Sequence, residues 1–192
     1  MNFDLNTDQQ DIKRTAREML ASRSPFEKVR EAAEAGSYDD ALWRELCELG
    51  WPGIAVSEQH GGQGLGAVEL AVLLEELGYA VAATPFLGTA LAALALEHAG
   101  SDEQRSRWLG GLARGEATGG FGSGELVIDG DGAAVIVLVD AEGGARVLDA
   151  SEADVHWLYK RAQLDAALLG GARAHRAKLA RLVAAQRAGA TA

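Results

Sequence analysis

The sequence predicts a mainly α-helical protein: a helical bundle, then a small antiparallel β-meander, then two C-terminal helices. Three observations predict it. Helix start and stop signals recur through the first 118 residues. Between 119 and 154 the chain changes to short β-branched runs separated by Asp-Gly and Gly-Gly turns. From 155 to 192 helical periodicity returns. The expected domains are therefore residues 1–118, 119–154 and 155–192.

The first helix opens on Thr7-Asp-Gln-Gln10, a capping-box spacing with Thr7 as cap, and carries Ile12, Ala16, Met19 and Leu20 on one face. A second is expected over Phe26 to Ala35, ending at Gly36. Ser37-Tyr-Asp-Asp40 opens a third, with Leu42, Trp43, Leu46 and Leu49 inward and Gly50 at its end. The junction LGWPGIAVSEQHGGQGLG, Leu49 to Gly66, follows; so many glycines imply a tightly shaped turn or a close backbone approach. The helix after it, Ala67 to Gly78, is apolar on most sides, through Val68, Leu70, Ala71, Val72, Leu73, Leu74 and Leu77. It is therefore expected at the centre of the core. Thr84 as cap and Pro85 at the first helical position open a helix to Ala99, and Ser101-Asp-Glu-Gln104 is a second capping box. The segment GGFGSG, 119–124, is not expected to hold regular structure. Strands are expected at Glu125–Ile128, Ala134–Val139 and Arg146–Leu148. A face of Val155, Leu158, Tyr159, Ala162, Ala166 and Leu169 predicts a helix that breaks at Gly170-Gly171, and a last one runs from Ala172 to Arg187.

Composition bounds function. Apolar residues make up 48% of the 192, enough for a core. No apolar run is long enough to span a bilayer, and MNFDLNTDQQ lacks the regions of a signal peptide. With one cysteine, Cys47, no internal disulfide forms, and a cytoplasmic location is the simplest expectation. Residues 1–155 carry 11 Lys+Arg against 27 Asp+Glu, net −16; residues 156–192 carry seven basic residues and Asp165, net +6. An acidic body argues against nucleic acid as a partner.

Local motifs supply little chemistry. Gly62-Gln-Gly64-Leu-Gly-Ala67 satisfies G-x-G-x-x-A before a helix, but only Ile54-Ala-Val56 precedes it as a strand and no βαβ unit surrounds it. His60, His98, His156 and His175 are scattered, so no metal site is expected; His60 reads as a loop hydrogen-bonding group. No G-x-S-x-G elbow occurs, and Cys47 lies on a core-facing helix. Glu75 and Glu76 read as the polar edge of their helix.

Five stretches, in order, carry a resemblance: FDLNTDQQDIKRTAREML, LGWPGIAVSEQHGGQGLG, ELAVLLEELG, TPFLGTALAALAL and SDEQRSRWLGGLARGEAT. From Phe3 to about Thr118 the chain resembles the N-terminal helical domain of acyl-CoA dehydrogenases. The resemblance implies a flavoprotein that oxidises acyl-CoA. In that family FAD lies between a middle β-domain and a C-terminal bundle, usually across a dimer contact. A glutamate of that bundle removes the α-proton, and hydride passes to the flavin. It also implies that Thr84, Phe86, Leu87, Ala90, Leu91 and Leu94 line the acyl tail; ordinary core packing is the other reading of each. Where the family carries a T-E-P-x-x-G-S flavin loop this chain has GGFGSGELVIDG. Residues 156–178 resemble the last helices of the family's C-terminal bundle, so the chain reads as two ends of such an enzyme without its centre. No residue is matched to the catalytic glutamate or to the flavin contacts. Two functions follow: an acyl-CoA dehydrogenase-like flavoprotein, incomplete as an isolated chain, or a non-catalytic relative that packs on a complete dehydrogenase. Either implies a homo-oligomer or a partner dehydrogenase subunit.

Overall fold

A computed structural model describes residues 4–123, 126–140 and 144–152, all within one compact unit, Met1–His156. The two expected C-terminal helices lie outside the described residues. Six helices come first: α1 (Thr7–Arg23), α2 (Phe26–Ala35), α3 (Asp40–Glu48), α4 (Ala67–Tyr79), α5 (Phe86–Ala99) and α6 (Asp102–Arg114). Four strands follow: β1 (Gly119–Ser123), β2 (Leu126–Ile128), β3 (Val135–Val139) and β4 (Ala145–Asp149). The mainly helical class with a small sheet is as the sequence predicts.

Most helix boundaries follow the local signals. Gly36 ends α2 in the left-handed region, at φ 64°. The Ser101–Gln104 capping box forms as expected: Ser101 Oγ accepts from Gln104 N–H, and the Gln104 side chain accepts from Ser101 N–H. At α1 the box is shifted by one residue. Asn6 is the cap, and its Oδ1 accepts from Gln9 N–H at 2.8 Å while Gln9 Oε1 accepts from Asn6 N–H. Thr7 and Gln10 are offset from these roles because Asn6, a stronger cap than threonine, stands immediately upstream with its own partner three residues on.

The glycine junction folds back on itself. Gln63 N–H, Gly64 N–H and Leu65 N–H donate to the carbonyls of Gly53, Val56 and Ile54. This approach leaves no room at Gly62, where an added Cβ would stand 2.1 Å from the Val56 carbonyl oxygen. The junction is therefore a closed turn held by its own backbone hydrogen bonds, not an open glycine loop. Leu49, expected inward, is 50% exposed, because α3 ends at Glu48 and Gly50 turns the chain with φ 72°.

Two apolar clusters form the core. One joins α1, α3, α4 and the start of α5 through Leu20, Leu46, Leu73 and Phe86. The other joins α5, α6 and the sheet through Leu96, Leu109, Leu112 and Val135. Among the six helices only α5 contributes to both, so it links the two clusters, while α4 belongs to the first alone. Helix α4 buries Leu70, Val72, Leu73 and Leu77 but leaves Val68 exposed, being covered by neighbours on one side only.

The sheet departs from a meander. Its order is β2-β1-β3-β4, with β1 antiparallel to β2, parallel to β3, and β3 antiparallel to β4. The glycine-rich segment is thus an inner strand rather than an irregular one. Its glycines let neighbours close in: a Cβ on Gly119 would lie 2.7 Å from Ala92 Cβ, and one on Gly122 would lie 2.1 Å from the Leu126 carbonyl oxygen. The parallel register Gly119↔Val135 to Ser123↔Val139 seats β1 on α5 and against buried Val135 and Val137.

Candidate functional site

Helix α5 is the element on which the six expected acyl-lining residues converge, and the structure divides them. Thr84, just before the helix, is buried, as are Phe86 and Ala90, which belong to the bundle core. Leu87, Leu91 and Leu94 follow an i, i+4, i+7 spacing and so share one face. Leu87 is 40% exposed, and Leu91 and Leu94 are half-buried. The incompletely covered apolar stripe is therefore Leu87–Leu91–Leu94, with Leu94 packed in part against the bundle core, while the other three hold the helix in place.

The N-terminus of α5 is fixed by groups from three elements. Its own N-cap position is Pro85, which makes no side-chain capping bond, so the expected Thr84 cap is not formed. A carboxylate from the turn after β2 takes that role: Gly88 N–H donates to Asp129 Oδ2 at 2.7 Å. The other oxygen, Asp129 Oδ1, accepts from Tyr38 Oη–H at 2.8 Å. Burial, then this bond to a carboxylate, pushes the Tyr38 hydroxyl well above the ordinary phenol value. Thr89 Oγ1 donates to Pro85 O and accepts from Gly119 N–H, tying the same turn to β1. The sequence marks Asp129 only as a turn former. No local signal marks it as a cap, because Thr84-Pro85 already reads as a helix start by itself.

A second polar cluster lies on α4. Glu76 is not the exposed edge expected for it; it is 1% exposed. Arg17 Nε donates to Glu76 Oε2 at 2.6 Å and Arg17 Nη2 to Glu76 Oε1 at 3.0 Å, a two-point clamp. Lys13 Nζ is 2.8 Å from Glu75 and 3.6 Å from Glu76. The signal for this was present: Glu76 falls three residues after Leu73 on the buried stripe, and Lys13 and Arg17 are four apart on α1. Beside this pair lies a cavity of about 270 Å³ between α1, α2 and the end of α4, walled by Leu20, Phe26, Val29, Tyr79 and Val81. It does not include the α5 stripe.

Neither place fits a flavin. A cavity of about 270 Å³ is below the usual range of roughly 300–1,000 Å³ for ligand sites. The glycines of β1 do not form an open cradle, since Leu126 and Val127 close over Gly122. Among the described residues there is also no cluster suited to a metal ion, and no helix is long and apolar enough to cross a membrane.

The helical part of the chain, ahead of the sheet, matches a family model. Residues 6–116 match that of the acyl-CoA dehydrogenase N-terminal domain. The chain belongs to the acyl-CoA dehydrogenase family. Acyl-CoA dehydrogenase IpdE2 of Mycolicibacterium smegmatis is 37% identical over 133 residues, which are 68% of this chain and 42% of that protein. Among solved structures, a variant of the Tcur3481-Tcur3483 steroid ACAD is 29% identical, with a TM-score of 0.64 over 74% of this chain and 48% of that one. The acyl-CoA dehydrogenase of Bacillus anthracis, solved in complex with FAD, shares the fold at 22% identity, with a TM-score of 0.60 over 76% of this chain and 32% of that one. The chain thus spans less than half the length of each of these relatives.

Proposed function

We propose that this chain is the helical module of a flavin-dependent acyl-CoA dehydrogenase. In this reading residues 1–118 supply one wall of the acyl-tail pocket, and FAD is held mainly by groups outside the described residues. The observation that carries it is the Leu87–Leu91–Leu94 stripe. It is apolar and incompletely covered, and it lies on a helix whose opposite side is locked into the core. A stripe of this kind takes a hydrocarbon chain once a second wall closes over it. The role of the chain's own residues is then to bind and orient the acyl tail and to exclude water from it. Proton abstraction is assigned to no residue here.

The flavin supplies hydride acceptance when bound. Such a group needs an enclosed site, which a complementary β-domain and helical bundle would complete, in a homo-oligomer or on a partner dehydrogenase subunit. Its place in acyl-CoA oxidation and a cytoplasmic location belong to the same proposal.

Two measurements test it. The absorbance spectrum of the purified chain is expected to lack a flavin band, and acyl-CoA with a redox dye is expected to give no turnover; stoichiometric flavin with turnover would refute the need for a complement. A fatty acyl-CoA with a photoreactive terminal group is expected to label the peptide holding Leu87 to Leu94. Labelling confined to other helices would sink the acyl-wall assignment and favour a non-catalytic relative that packs on a complete dehydrogenase.

A further inference from the structure

We infer that Asp129 is a positioning residue: it caps α5 from the sheet and thereby fixes how the turn after β2 sits on the first turn of α5, where Leu87 begins the open stripe. A helix leaves its first amide N–H groups without internal partners, and an acidic oxygen there is favoured by both hydrogen bonding and the helix dipole. Gly88 is the third residue of α5, so its N–H is one of those groups, and the acceptor comes from 41 residues along the chain. Asp129 reaches it from a left-handed backbone conformation, φ 53°, which aspartate adopts more readily than most residues other than glycine. Its second oxygen is held by Tyr38 from the loop between α2 and α3. One carboxylate thus joins the bundle, α5 and the sheet.

Close packing makes the position specific. A Cβ at residue 88 would stand 2.7 Å from Asp129 Cβ and 2.8 Å from the Ile128 carbonyl oxygen, so the turn lies directly on the helix. Leu87 precedes Gly88 and Ile128 precedes Asp129; they are 40% and 45% exposed. The Gly88–Asp129 bond therefore ties together two elements that each carry an exposed apolar residue next to the bond, Leu87 and Ile128. That this pair continues the acyl wall rests on the function proposed above; the cap itself does not.

Amide hydrogen exchange on the full chain tests the cap. In Asp129→Ala, the Gly88 amide and those of β2 are expected to exchange at least tenfold faster, with the interior of α3 unchanged. Asp129→Asn keeps one acceptor and tolerates the positive φ, so it is expected to restore part of the protection; it also serves if the alanine variant does not fold. Unchanged exchange at Gly88 in both variants overturns the proposal, as does acceleration of all amides alike. The positioning role has its own readout: photoreactive acyl-CoA labelling at Leu87 is expected to fall in Asp129→Ala relative to Leu94. Faster exchange with an unchanged labelling ratio overturns that role. Absence of labelling on α5 of the natural chain counts against the proposed function, while Gly88 exchange still decides the cap.

Discussion

Replacing Gly88 by alanine and comparing the result with Gly78→Ala separates close packing from helix propensity. Both glycines lie inside helices, and in an open helix alanine is favoured over glycine by about 1 kcal/mol. Gly78 has nothing within 4 Å of an added Cβ, so Gly78→Ala is expected to stabilise by about 0.5–1 kcal/mol. At Gly88 the added Cβ meets Asp129 Cβ and the carbonyl oxygens of Gly119 and Ile128, at 2.7, 2.7 and 2.8 Å. None of these atoms can rotate away. Overpacking costs about 1–3 kcal/mol, and contacts this rigid place it near 3. Subtracting the propensity gain leaves a net loss of about 2 kcal/mol. Urea unfolding reads this directly. With a slope of roughly 1–3 kcal/mol per molar, Gly88→Ala lowers the midpoint by about 1 M while Gly78→Ala raises it slightly. An equal rise in both variants would refute the seating of the β2 turn on α5.

Three further outcomes follow from the same packing. Phe86→Ala, at 2% exposure, is expected to cost about 3–5 kcal/mol in urea unfolding, while Leu87→Ala stays within about 1, separating core from stripe. Glu76→Gln breaks the Arg17 clamp inside the bundle and is expected to lower the thermal midpoint, whereas Glu75→Gln, at an exposed carboxylate, is not. Cys47 is held protonated mainly by burial, with Glu48 adding to it, and its thiol is pushed up to about 11. Its folded value is above its unfolded one, so its contribution to stability is complete below about pH 9 and is lost as pH rises through about 11. A thiol reagent at pH 8 should accordingly react slowly with the folded chain and fast after denaturation; rapid native reaction would contradict that burial.

Much of the bundle was legible from local chemistry. Gly36 ends α2, Ser101 and Gln104 cap α6, and the apolar run after Pro85 forms a helix, because each signal acts within one turn of chain. The errors arise where a distant partner decides. Glycine-rich 119–124 looked irregular by its backbone entropy, yet Ala92 and Leu126 approach Gly119 and Gly122 so closely that only glycine fits, and Gly119–Ser123 becomes an inner strand. The strands were visible as β-branched runs, but the parallel pairing of β1 with β3 was not, since register depends on which buried face α5 offers. Glu76 passed for a surface residue because the Arg17 that clamps it stands on another helix, 59 positions away.

The sequence by itself determined the helices, the family and the apolar character of α5, since these rest on periodicity and short-range spacing. Only the tertiary structure decided which side of α5 faces the core, leaving Phe86 buried and Leu87 open. Only it showed that the helix is capped by Asp129 from the sheet rather than by Thr84 beside it. The physical reason is the same in both cases. A helix presents every side in turn, and its first amide N–H groups donate to any suitable oxygen. Which side is covered and which oxygen arrives are set by elements far off in the chain.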